Sequence, residues 1–289
     1  MKYLFLFVAG YLFLPAALFG QTSTIILKGK VVDQADYQAI PYASIGVKGK
    51  DIGTITNENG EFTLSVKQEN AQDTLVLSMI GYIKRHYTVG ALAQALSSSS
   101  ILTLEAATLD LKEVEIAGNR LQTKSLGNEA TPSGVGMTPF KFSNLGNEIG
   151  LLCKVKDQPT YLEEFHVDIF LNDYDTLFFR LNIYTLADGL PDENILQEPI
   201  YITFTGKKGK ASVDLKPYNL MVNEDFVVSM EYVKELRKID MTRKEQSGLY
   251  FGAKKVFGGT VYTRGSSQGK WFVSKSGLFA PKMEVVVKS

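Results

Sequence analysis

Between Gly29 and Val89 the chain is cut into short apolar runs by turn chemistry, and that rhythm leaves room for little except short β-strands. Ile25–Val32 and Pro41–Lys48 lie either side of the turn-rich Asp33–Gln38. Asp51–Thr56 and Glu61–Val66 flank Asn59-Gly60, a dipeptide that predicts a tight hairpin between them. Phe62, Leu64 and Val66 alternate with Glu61, Thr63 and Ser65, so one face of that strand is expected to be buried and the other wet. Thr74–Met79 and Tyr82–Val89 pair around Gly81, and Ile101–Leu104 closes the set at seven strands. The Asn57–Glu61 stretch lacks the ligand spacing of an EF-hand loop, and a turn there needs no metal.

Four segments in order carry a family likeness. They are Gly-Lys-Val-Val-Asp at 29–33, Ala-Ile-Pro-Tyr-Ala-Ser-Ile at 39–45, Gly-Thr-Ile-Thr-Asn-Glu-Asn-Gly-Glu-Phe at 53–62 and Leu-Ser-Met-Ile-Gly-Tyr at 77–82. Together they closely resemble the carboxypeptidase-regulatory-like domain, a seven-stranded transthyretin-like (prealbumin-like) β-sandwich. The resemblance implies an accessory module with no chemistry of its own. Such modules precede the plug of many TonB-dependent receptors of Bacteroidetes and follow the catalytic domain of some zinc carboxypeptidases. Leu109–Gly118 looks like the acidic-apolar strand that follows the module in TonB-linked receptors, with Lys112 and Glu115 as extra charges. A receptor is excluded by length. A barrel of about 22 strands with about 9–11 residues each needs roughly 200 residues in strands alone, besides a plug, and residues 121–289 are too few.

Residues 1–20 join a basic start to an apolar run from Tyr3 to Phe19, broken by Gly10 and Pro15. That pattern describes a secretory signal peptide rather than a membrane span, so the mature chain is expected outside the cytoplasm. Lys plus Arg equal Asp plus Glu at 31 each, which gives no electrostatic case for nucleic acid as a partner. Cys153 is the single cysteine, so no internal disulfide forms, and a buried small hydrophobe is its expected role.

The expected organisation is a signal peptide at 1–20, the regulatory-like sandwich at 21–108, a connecting strand and linker at 109–147, and a second sandwich at 148–289. From Glu148 onward about ten further strands are separated by Asn172-Asp173, Asp188-Gly189-Leu190-Pro191, Gly206–Gly209 and Gly258-Gly259. Lys234–Lys244 reads as a charged helix or a solvated loop. The fold class is therefore all-β, with the second unit an antiparallel jelly-roll sandwich. Arg180–Tyr184, Gly189-Leu-Pro191 and Pro199–Ile202, with Val213-Asp-Leu215 and Gly269-Lys-Trp271, resemble jelly-roll modules of exported Bacteroidetes proteins. That resemblance implies binding of glycans or partner proteins.

Strand Thr176–Tyr184 divides cleanly. Leu177, Phe179, Leu181 and Ile183 share a core face, while Phe178, Arg180, Asn182 and Tyr184 share the other. The second face mixes aromatic surface with planar polar groups, a combination suited to a sugar or peptide. Arg180, Tyr184, Tyr262, Arg264 and Trp271 are the candidate ligand-binding residues; cross-strand pairing or cover of the core edge is the competing explanation.

Catalytic motifs are weak. Neither His86 nor His166 begins a His-x-x-Glu pair, so zinc-peptidase ligation fails. Gly-Ser-Ser-Gln-Gly at 265–269 has Gly-x-Ser-x-Gly spacing, but no helix is expected after it to make a nucleophile elbow. A serine triad would need an exposed Ser beside one of the two His. Glu163, Glu164, Asp168, Asp173 and Asp175 could supply glycosidase carboxylates, but a solvent-facing polar row explains them. The sequence thus points to a non-enzymatic exported envelope protein that binds or scaffolds, with glycans or an outer-membrane partner as ligands and with no cofactor or metal. The alternatives are a hydrolase built on the second sandwich, or a small outer-membrane barrel formed by 149–289.

Overall fold

The computed structural model describes residues 23–108, 121–132, 134–137, 145–237, 248–255, 259–275 and 279–289. The expected signal segment 1–20 and the acidic-apolar strand 109–118 lie outside the described residues. No described helix is long and apolar enough to cross a membrane.

The first unit holds seven strands. They are β1 (Thr24–Asp33), β2 (Ser44–Val47), β3 (Gly53–Ile55), β4 (Glu61–Lys67), β5 (Thr74–Ser78), β6 (Arg85–Thr88) and β7 (Ile101–Leu104). One sheet runs β4-β1-β7 and the other β3-β2-β5-β6. Phe62, Leu64 and Val66 are buried in β4 while its alternate residues are exposed, as the period of two requires. They meet Leu27, Ile45, Leu75 and Leu77 in one core.

Two features depart from the sequence reading. Asn59-Gly60 does not close a hairpin between β3 and β4, because β3 pairs with β2 and β4 pairs with β1. The turn instead carries the chain from one sheet to the other. Asn57 Oδ1 accepts from the backbone N–H groups of Asn59 and Glu61, both at 2.9 Å. Gly60 sits at φ +76°, where a Cβ would stand 2.5 Å from the Val31 carbonyl. The second departure is α1 (Val89–Ser98), capped by Thr88 Oγ1 accepting from Ala91 N at 3.1 Å, with Val89 and Leu92 buried.

The second unit is an antiparallel sandwich. Its strands begin with β8 (Thr123–Gly127), β9 (Gly136–Met137), β10 (Glu148–Cys153), β11 (Thr160–Asn172) and β12 (Leu177–Ala187). They continue through β13 (Leu190–Asn194), β14 (Ile200–Phe204), β15 (Gly209–Asp214), β16 (Met221–Val222) and β17 (Phe226–Tyr232). The last are β18 (Leu249–Lys255), β19 (Thr260–Arg264), β20 (Phe272–Lys275), β21 (Phe279–Pro281) and β22 (Met283–Lys288). One sheet runs β13-β12-β17-β10-β19-β20, with β14 also on β12. The other runs β21-β18-β11-β22-β8, with β15 and β16 on β11 and β9 on β18. The chain crosses repeatedly between the sheets, from β10 to β11, back to β12, and again from β14 to β15 and β16 to β17. Phe165, Phe179, Phe226 and Phe251 are fully buried between them.

The expected linker is partly sandwich. β8 lies inside 109–147 yet pairs residue by residue with β22, from Thr123 against Lys288 to Gly127 against Glu284. Asp188 and Gly189, at φ +52° and +75°, form the two-residue turn between β12 and β13, so the strand resumes at Leu190. The described part of the charged segment, 234–237, is not helical.

Candidate functional site

The outward face of the β12-β17-β10-β19 sheet does not lie open. The first sandwich sits on it, and the registers explain what the face presents. Arg180 stands opposite Glu231, Glu231 opposite Glu148, and Glu148 opposite Arg264. Four strands thus line up a positive, two negative and a positive side chain in one row. Asn182, Ser229, Gly150 and Tyr262 form the next row. Two carboxylates directly opposite each other repel, so the row is stable only with its flanking arginines and bridging amide.

Those partners are present. Glu231 Oε2 accepts from Arg180 Nε at 2.9 Å, Arg180 Nη2 at 2.6 Å and Asn182 Nδ2 at 3.1 Å. Its Oε1 accepts from Ser267 Oγ at 2.7 Å. Glu148 Oε1 accepts from Asn182 Nδ2 at 2.8 Å and from Ser229 Oγ. Glu148 Oε2 accepts from Arg264 Nε at 2.7 Å and from Tyr184 OH at 3.4 Å. The Asn182 amide therefore ties the two carboxylates together. Burial pushes the Glu231 carboxyl up, but Arg180, Arg264, Ser267 and Asn182 outweigh it and hold it below the usual range. Burial, helped by Glu148 and Glu231, drives Tyr184 well above the ordinary phenol against the pull of Arg264 and Arg180.

Arg180 is also the latch to the first sandwich. Its Nη1 donates to the Tyr42 carbonyl at 2.7 Å and its Nη2 to Ser44 Oγ at 2.9 Å. The segment Gly265–Gly269 completes the seam: Gly49 N donates to the Gln268 carbonyl at 2.8 Å, and Gln268 Nε2 donates to Ser78 Oγ at 3.1 Å. On the far side Phe178 stacks on Tyr201 at 4.8 Å, Tyr42 packs on both, and Lys234 Nζ meets Glu58 at 2.5 Å.

Beside this seam the two sandwiches leave a half-open cleft of about 420 Å³. The first unit contributes Ser44, Ser78, Tyr82 and Lys84 to its walls. The second contributes Arg180, Asn182, Tyr184, Arg264 and the β13 hairpin. Gly81, at φ +84°, brings the first unit against the Gln197 carbonyl so closely that a Cβ would sit 2.8 Å from that oxygen.

All five candidate residues gather here, though not as an open binding platform. Arg180, Tyr184 and Tyr262 are 3, 7 and 3% exposed. Arg264 lies 4.4 Å over the Trp271 ring, and Tyr184 and Tyr262 meet that ring edge-on at 5.8 and 6.4 Å. Tyr262 OH donates to the Gly189 carbonyl at 3.1 Å. Arg180, Tyr184 and Arg264 line the cleft, whereas Tyr262 and Trp271 buttress them from behind. Glu148 and Glu231 went unread in the sequence. The available signal was Glu231 itself, a carboxylate inside the largely apolar Phe226–Tyr232.

Cys153 and His166 are the two other reactive side chains. Cys153 is buried, and burial pushes its thiol up to about 12. His166 Nδ1 lies 2.8 Å from Ser212 Oγ and its Nε2 lies 3.2 Å from Glu164, with Ser212 exposed on the sheet face. Ser212 is the cross-strand partner of His166, and Glu164 is two residues along the same face. This trio lies outside the cleft. Among the described residues no group of three or more His, Cys, Asp or Glu is placed to hold a metal.

Residues 27–116, which include the first sandwich, match the family model of the CarboxypepD_reg-like domain. No curated protein matches the chain. Among solved structures, the major pilin subunit BcpA of Bacillus cereus is 14% identical over 91% of this chain and 69% of its own, with a TM-score of 0.18. A single-residue variant of that pilin is 12% identical over 90% of this chain and 69% of its own, with a TM-score of 0.19. Scores this low carry no argument about fold or function.

Proposed function

We propose that the protein is an exported, non-catalytic binding and scaffolding module of the cell envelope, and that its ligand is held at the junction of the two sandwiches. The observation that carries this reading is the cleft itself. It is bounded by both units, mixes polar groups with Tyr82 and Tyr184, and lies at a domain junction, where ligand sites concentrate. The Arg180 row fixes the two units against each other, so the cleft is preformed. The apolar N-terminal pattern and the regulatory-like domain support an envelope setting.

Gln197 lines the cleft and is exposed, so Gln197→Trp fills it without touching the buried row. A glycan array and an envelope pull-down are expected to yield a ligand or partner that the native protein retains and Gln197→Trp loses at unchanged melting temperature. Binding that survives the substitution places the site elsewhere.

The Ser212–His166–Glu164 geometry favours a second reading, slow acyl-ester hydrolysis on the outer sheet, in which His166 takes the Ser212 proton. A fluorophosphonate probe decides it: labelling at Ser212 that His166→Asn abolishes supports hydrolysis, and an unlabelled native protein removes it.

A further inference from the structure

The hydrogen-bonding balance of the cleft selects a class of ligand. On its floor the carboxylates and the two asparagine carbonyls are already engaged. All four oxygens of Glu148 and Glu231 accept bonds within the charged row. Asn182 Oδ1 accepts from Asn194 Nδ2 at 2.9 Å, and Asn194 Oδ1 accepts from Leu196 N at 3.1 Å.

Donors, by contrast, are left over. Ser44 Oγ accepts from Arg180 and Ser78 Oγ accepts from Gln268, so each hydroxyl keeps its own hydrogen, with no acceptor for it among the described residues. Arg264 commits Nε and Nη2 to Glu148 and Tyr184, and its Nη1 has no described acceptor. Lys84 adds an ammonium in the wall contributed by the first unit, also without a described partner. The carboxylates of Asp192 and Glu193 are exposed on the β13 hairpin, at the rim.

We infer, resting on the reading of this cleft as the binding site, that its ligand presents a carboxylate. A carboxylate accepts about four hydrogen bonds and donates none, which matches the donors left over on this floor. A neutral hydroxyl in the same place carries no charge to set against Lys84 and accepts fewer of these bonds. The volume suits a sugar ring or a short peptide end, and Tyr82 adds an aromatic side chain to the wall. Two sources share this chemistry: a uronic-acid residue of a glycan, and the C-terminus of a peptide.

Calorimetric titration of the purified protein separates them. The probes are galacturonate, galactose, a diglycosyl galacturonate, and one short peptide with a free or an amidated C-terminus. At least one carboxylate probe is expected to bind about tenfold or more tightly than its neutral counterpart. Lys84→Ala and Ser78→Ala are expected each to weaken it by about three- to tenfold. Preference for galacturonate identifies an acidic glycan, and preference for the free peptide end identifies a chain terminus. Equal binding of acid and neutral probes that Gln197→Trp abolishes overturns the carboxylate inference and leaves the cleft as the site. No binding of any probe by the folded protein overturns it as well, and a ligand from the array or pull-down that ignores Gln197→Trp removes the cleft reading itself.

Discussion

Arg180 does two jobs with one guanidinium: it neutralises Glu231 within the second sandwich and bonds the backbone and a hydroxyl of the first. Its removal strands two buried carboxylates that face each other. Arg180→Ala is therefore expected to destabilise the protein by about 3–5 kcal/mol in urea titration, well beyond the cost of an exposed ion pair. His166 offers a test by pH. Burial, helped by Lys210, holds its imidazole below the ordinary value, against the pull of Glu164 and Glu284. The unfolded chain then takes up the proton first. Stability is present above the ordinary imidazole range and falls as pH drops through the lowered folded value. Melting curves between about pH 7.5 and 5.5 should show that loss, and His166→Asn should flatten it.

At the scale of the element, Gly150 lets the charged row close. A Cβ there would stand 2.8 Å from Val227 Cγ1 and 3.0 Å from Ser229 Cβ, between the strands that carry the two glutamates. Gly150→Ala should cost about 1–3 kcal/mol and weaken the Asn182 bridge, measured by denaturation together with amide exchange of β10 and β17. What the sequence disclosed was local. The alternation in Thr176–Tyr184 gave the core face correctly, since Leu177, Phe179, Leu181 and Ile183 are all at most 1% exposed. Pairing was hidden. Asn59-Gly60 carries a strong hairpin signature, yet the same turn can join two sheets when each flanking strand finds a better neighbour elsewhere. Thr123–Gly127 has too few apolar residues to announce a strand, and its order comes from β22 across the whole second unit. The polar face of β12 was legible as a mixture of rings and planar groups. Its burial was not, because the surface that covers it belongs to a sandwich more than a hundred residues away.

For the whole molecule, the seam joins two hydrophobic cores that are separate in composition. Buried charge at the joint makes separation expensive, because each half would expose an incomplete row. Calorimetry is expected to show one unfolding transition for the native protein and two for Arg180→Ala, as the halves lose their coupling. Two transitions in the native protein would mean that the seam contributes little.

The place of β22 has a consequence in time. It lies between β11 and β8, and Gln122 and Ser289 exchange backbone hydrogen bonds at 2.9 and 3.2 Å. A nascent chain can complete its first sandwich early, from strands already synthesised. The second must wait: until Met283–Lys288 emerges, β8 and the Tyr161–Val167 edge of β11 have no neighbour. During that interval both present unpaired strand edges, so aggregation or capture by a chaperone competes with closure at this stage.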